Sequence, residues 1–220
     1  MTTHLNDEVV CALCKNPSTQ SIMSSTSSSG SPDLDLRPQD PDRYSNDLYI
    51  QTCPSCGYCC PDISDEIPHA AELVAKDTYK HQLNNTSFSE LSNAFLCCAL
   101  LLENDSNYAI AAWYSIRAAW DCDDNHSNDS AVICRERTIE LFQMAIKNEQ
   151  RFFEETGGEE SLMVDLLRRT RRFEEADKCC DQGLAKKPEK LISNILWYQK
   201  LLIGNLDDSC HLLEEADEMY

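Results

Sequence analysis

Along this chain the rhythm of apolar and polar positions changes near Pro68. Before it, no helical period is present. Leu48, Ile50 and Thr52 alternate with Tyr49 and Gln51, a period of two that predicts a short strand running into a turn. The serine-rich tract 18–32 is expected to be a mobile loop or a hairpin connection. After Pro68, proline and glycine almost vanish and apolar residues recur at helical spacing. Pro68 stands near a helix start, ahead of Leu73, Val74 and Leu83. Ser87-x-x-Glu90 has the capping-box shape and precedes Leu91, Phe95, Cys98 and Leu102. Further helical patterns cover 107–124, 130–155, 160–170, 172–188 and 190–204, with a break at Gly157-Gly158 and a short last helix within 209–220.

Two of these segments share a finer pattern. Leu162 and Leu166 precede Phe173 at a turn, then Ala176, Gly183 and Pro188 follow. A large turn residue, two small residues seven apart and a closing proline follow the tetratricopeptide spacing, in which small side chains let paired helices approach. Tyr108, Ala111 and Ala118 repeat it. The expected fold class is therefore mainly α: a small zinc-ribbon β head over 1–66 with a long Ser-rich loop, followed over 67–220 by a tetratricopeptide-like antiparallel helical array. An ordinary antiparallel bundle is the alternative.

The head rests on cysteine spacing. Cys11 and Cys14 form one Cys-x-x-Cys pair, and Cys53 and Cys56 form another after 38 intervening residues. Two such turns facing each other offer the four tetrahedral thiolates that zinc prefers. Pro54 fixes φ after the first sulfur of "CPSCG", and Gly57 permits positive φ after the second. A Cys56–Cys59 pair would lack that proline-first turn. Cys59 and Cys60 are thus expected as small strand residues or solvent-facing thiols. Cys97, Cys98, Cys122, Cys134, Cys179, Cys180 and Cys210 lie along the helices and read as small core residues.

Charge narrows the function. Lys and Arg number 19 against 38 Asp and Glu, and residues 1–60 hold three cations against seven carboxylates. Phosphate recognition needs clustered cations, so nucleic acid is disfavoured as a partner. The N-terminus lacks the basic-then-apolar order of an export signal, and the longest apolar run, Ala94–Leu102, is nine residues. A cytoplasmic setting is expected, where 13 cysteines serve as thiols or metal ligands more than as disulfides. Two polar clusters have plainer readings. Asp121, Asp123, Asp124 and His126 lack calcium-loop spacing and read as a solvated loop. Arg168–Arg172 is expected to be neutralised by Glu174, Glu175 and Asp177 on a salt-bridged surface.

Taken with the two cysteine pairs, "GSPDLDLRP" (30–38), "RAAWDCDD" and "CRERTIELF" resemble an uncharacterised bacterial family, domain of unknown function 2225. The resemblance covers nearly the whole chain. It implies metal ligands at Cys11, Cys14, Cys53 and Cys56, and marks Asp33, Asp35 and Arg37 as a possible secondary site. Asp35 and Arg37 share one side of an extended segment, where Arg37 could hold a carboxylate; the plainer role is pinning the loop to the ribbon or the helices. Cys59 and Cys60 depart from the family pattern, where small non-thiol residues are usual. No reaction is implied. The expectation is a non-enzymatic adaptor with structural zinc and a protein or peptide partner. A thiol redox or metal-handling protein using Cys59 and Cys60 is the alternative, and a nucleic-acid-associated ribbon the second.

Overall fold

A computed structural model describes residues 3–25 and 29–217. A small β head precedes a run of helices. By packing, the chain divides into two compact units: 1–28 with 40–144, and 29–39 with 145–220. The boundary at 66/67 drawn from composition is a different partition, separating patterns of residues rather than packed bodies.

In the first unit, strands β1 (Thr3–Val10) and β2 (Pro17–Ser25) form an antiparallel hairpin in which Val10 faces Pro17 and Asp7 faces Gln20. Most of the expected loop 18–32 is thus strand up to Ser25; Thr26–Ser28 lie outside the described residues. Cross-strand pairing of threonine, glutamine and isoleucine satisfies its backbone without a helical period. A second, minimal hairpin pairs β3 (Gln51–Thr52) with β4 (Cys59–Cys60). Leu48 and Tyr49, expected in a strand, end a 3₁₀ segment, Asp42–Tyr49. The Arg117 guanidinium holds it there, stacking 3.7 Å from the Tyr49 ring centre while its Nη1 donates to Asn46 Oδ1 at 3.0 Å.

The pattern after Pro68 yields two short helices, α1 (Ala70–Val74) and α2 (Asp77–Leu83), where one was expected. Lys76 interrupts them with extended backbone. Helix α3 (Glu90–Asn104) is capped by Ser89, whose hydroxyl accepts the Ser92 N–H at 2.9 Å, and not by Ser87 as expected. Both Cys97 and Cys98 are fully buried, because α3 packs against α2, β4 and α4 (Tyr108–Asp124). Helix α5 (Asn128–Lys147) ends eight residues before the expected limit at 155, and Trp113 of α4 meets its Phe142 edge to face at 5.7 Å.

The second unit packs α6 (Gly158–Arg169), α7 (Phe173–Ala185) and α8 (Lys190–Gly204). Leu162, Leu166 and Ala176 are buried, and a Cβ on Gly183 would stand 2.9 Å from both Glu160 Cβ and Leu196 Cδ1. The small residues expected at a close helix approach stand at one. The short last helix is a 3₁₀ turn at Leu213–Ala216; Glu218–Tyr220 lie outside the described residues. Segment 29–39 joins this unit. Leu34 N–H donates to His211 O at 2.9 Å, Leu213 N–H donates to Pro32 O at 2.8 Å, and the Leu34 side chain packs with Ile195, Tyr198 and Leu202.

Candidate metal centre

Each cysteine pair sits in the turn of one hairpin of the first unit, and the two turns follow one backbone plan. Cys11 N–H donates to Asn16 O at 3.1 Å and Lys15 N–H donates to Cys11 O at 3.0 Å. Likewise Cys53 N–H donates to Tyr58 O at 2.8 Å and Gly57 N–H to Cys53 O at 2.9 Å. Both turns need positive φ four residues after the first cysteine: Gly57 takes 76°, and Lys15 takes 61°. Lys15 gives no such sign by residue type; its Nζ donates to Ala12 O at 2.6 Å across the turn.

Two bonds join the hairpins: Ala12 N–H donates to Ile63 O at 2.7 Å and Gln20 Nε2 donates to Thr52 O at 3.2 Å. Ile63 is itself tied to β3, its N–H donating to Gln51 Oε1 at 3.0 Å. These links bring the four sulfurs of Cys11, Cys14, Cys53 and Cys56 within 4.8 Å of one another. Cys11 Sγ lies 3.7 Å from Cys56 Sγ and Cys14 Sγ lies 3.5 Å from Cys53 Sγ. A disulfide would hold them at about 2 Å. Four thiolates around one ion with metal–sulfur bonds of about 2.3 Å stand about 3.8 Å apart, so the spacing fits a single tetrahedral ion. Cys11 and Cys53 are buried; Cys14 and Cys56 are half-buried.

The electrostatics are uneven. A backbone N–H from Asn16 helps lower the Cys14 thiol to about 7. Burial pushes Cys53 and Cys56 up, opposed in part by backbone N–H groups, those of Cys56 and Ser55 for Cys53 and that of Tyr58 for Cys56. Such N–H···S contacts stabilise thiolates in a metal-binding turn. An ion would have to displace the protons that burial retains. This donor set suits a soft or borderline cation.

Cys59 and Cys60 are 0% and 3% exposed, which excludes the solvent-facing reading and leaves them as small strand residues. Cys59 Sγ lies 3.5 Å from Thr52 Oγ1, and a hydrogen bond with Cys97 is the main cause of its lowered pKa; burial raises Cys60. Asp33, Asp35 and Arg37 belong to the second unit, the four cysteines to the first, and the three are at most 2% exposed. Asp35 Oδ2 accepts from Arg169 Nη1 of α6 at 3.0 Å, and Asp35 Oδ1 accepts the Arg37 N–H at 3.2 Å. Gln39 Nε2 donates to Asp33 Oδ1 at 3.1 Å. The Arg169 pair holds the segment to α6, and the other two bonds brace the segment internally.

Two surface readings are corrected, the second of them for Arg168 and not for Arg171 or Arg172. Asp121, Asp123 and Asp124 close α4 instead of forming a loop; Asp121 is buried and accepts the Ser92 hydroxyl at 2.6 Å, while Asp123 pairs with Arg135. Arg168 is wholly buried, not a surface cation: it pairs with Asp165 at 2.6 Å and donates to the carbonyls of Asp207 and Ser209, both at 2.7 Å. Of the three neutralising carboxylates expected, Glu175 pairs with Arg172 at 2.7 Å, while Arg171 pairs with Asp208.

No curated protein and no solved structure matches the chain. A family described as an uncharacterized protein conserved in bacteria (DUF2225) matches residues 4–202, from β1 into α8. The chain belongs to this family.

Proposed function

We propose that the four cysteines hold one structural zinc ion, in a zinc-ribbon head on a tetratricopeptide-like body that serves as a cytoplasmic, non-enzymatic adaptor for a protein or peptide. The observation that carries the metal reading is the meeting of four sulfurs, from two turns of one backbone plan, within 4.8 Å. Cys11, Cys14, Cys53 and Cys56 would be the ligands. Zinc bound by four thiolates keeps no open position for water, so it supplies folding free energy and not catalysis. Two hairpins this small, one with two-residue strands, bury little of their own surface and need such a tie.

The adaptor reading draws on the helical body. Ala111, Ala118, Ala176 and Gly183 stand buried at the small positions of two helical pairs, α3–α4 and α6–α7, as a tetratricopeptide-like array requires. No helix among the described residues is long and apolar enough to cross a membrane. The thiol redox alternative is weakened because reactive cysteines need access, and Cys59 and Cys60 are buried.

Limited proteolysis of the full chain tests the structural role. Chelation is expected to open sites within residues 1–66 to the protease while the helical circular dichroism persists, and zinc is expected to restore protection. Equal cleavage with and without chelator contradicts it.

A further inference from the structure

The second unit contains a cavity of about 190 Å³, partly open to solvent. Leu34 and Leu36 of segment 29–39, Leu162 of α6, Ile195 of α8 and Leu213 of the last turn make its walls apolar. Two wall residues depart from that. Glu155 is exposed and is the one charged side chain among the lining residues. Ser161 is only 7% exposed.

Ser161 is the informative one. Its N–H donates to Gly157 O at 2.9 Å and its carbonyl accepts Gln199 Nε2 at 2.9 Å, so its backbone is satisfied. Its hydroxyl has no hydrogen-bond partner among the described residues. A helical hydroxyl ordinarily bonds the carbonyl four residues back, as Thr170 Oγ1 does with Leu166 O at 2.9 Å. Ser161 thus leaves a donor and an acceptor free at the wall of an apolar chamber.

We propose that this cavity binds a small, uncharged, apolar ligand of about one aromatic ring, carrying a single hydrogen-bonding group that meets the Ser161 hydroxyl. Size sets the first limit: an apolar chamber of about 150 Å³ accepts benzene. Polarity sets the second. A water molecule needs two to four polar partners, and the buried part of the wall, away from the exposed Glu155, offers one hydroxyl, so an apolar ring there displaces little that is well held. Glu155 disfavours an anion at this site. The wall is also preformed, because the Asp35–Arg169 ion pair and the backbone bonds to His211 and Pro32 fix the segment carrying Leu34 and Leu36.

Phenol and toluene, nearly equal in shape, are the probes, titrated into the full-length protein and followed by backbone amide NMR. Saturable shifts confined to residues 29–39, 158–162 and 191–195 are expected, with phenol bound about fivefold tighter, the worth of one neutral hydrogen bond. Ser161→Ala is expected to remove that preference while toluene still binds. Ser161→Leu, which fills the chamber, is expected to abolish binding of both, and Ile192→Phe, at another apolar lining residue of α8, does so independently should the first variant fail to fold. No saturable shift with either probe, equal affinities in the parent chain, or binding that survives both filling variants overturns the proposal.

Discussion

The hydroxyl of Tyr79 on α2 donates to the carbonyl of Gly57 at 2.9 Å, one residue beyond the fourth cysteine of the candidate centre. The same hydroxyl accepts the Cys59 N–H at 3.1 Å, and Tyr79 is 1% exposed. One buried phenol therefore ties the second cysteine turn to the first helices of the body. Tyr58 makes a parallel tie, donating to Asp65 O at 2.9 Å and accepting the Ile67 N–H at 3.0 Å.

Tyr79→Phe keeps the ring but strands the buried Cys59 N–H, while Gly57 O, half-buried, keeps only the Cys59 Sγ donor at 3.4 Å. A loss of about 2 kcal/mol in denaturant unfolding is expected, the usual cost of unsatisfied buried groups. Metal affinity should fall roughly tenfold, as for outer partners of a metal site. Unchanged stability and affinity would show that the tie is incidental.

Gly183→Ala tests the close approach in the second unit. The new Cβ would meet Glu160 Cβ and Leu196 Cδ1, both at 2.9 Å. Because Glu160 Cβ is fixed near its backbone, helices must separate, and a cost of about 1–3 kcal/mol is expected. Gly204→Ala is the control, since nothing lies within 4 Å of its added Cβ. Thermal melts of the two variants should diverge; equal melting temperatures would contradict the packing account.

Acid should loosen the C-terminal segment. A hydrogen bond from the Ser209 hydroxyl is the main cause holding the Asp207 carboxyl at about 2, below its ordinary value near 4. Burial would raise Glu215, but the Leu212 N–H and the Tyr198 hydroxyl outweigh it and its pKa is lowered. Both carboxylates contact His211, Asp207 at Nε2 and Glu215 at Nδ1. A folded-state pKa below the unfolded one stabilises above about pH 4, and that contribution is lost as pH falls toward 2. Asp207→Asn should therefore destabilise the protein at pH 7 and match the parent near pH 2, measured by amide exchange over residues 207–216. A difference independent of pH would contradict this.

What could be read in advance follows from the range of the forces involved. "CPSCG" announces its turn because the Pro54 ring fixes φ and Gly57, lacking a Cβ, tolerates positive φ. The matching turn hides its positive φ in Lys15, a residue type without that preference, so only the paired spacing exposed it. Helix presence was legible from periodicity. The true cap at Ser89 was not, because Ser87 offers the same chemistry two residues earlier. Least visible were pairings across long sequence separations. Asp35 and Arg169 stand 134 positions apart, and a local reading placed the aspartate in a head loop and the arginine on a salt-bridged surface. Likewise the burial of Arg168 depends on carbonyls at Asp207 and Ser209 that no local pattern reveals.

The central claim is that Cys11, Cys14, Cys53 and Cys56 together hold one zinc ion. Native mass spectrometry of the intact chain measures it directly, beside the Cys11→Ser, Cys53→Ser and Cys59→Ser variants. One zinc is expected in the parent and in Cys59→Ser, and none in Cys11→Ser or Cys53→Ser. A metal-free parent, or zinc lost with Cys59→Ser while Cys11→Ser retains it, would contradict the assignment.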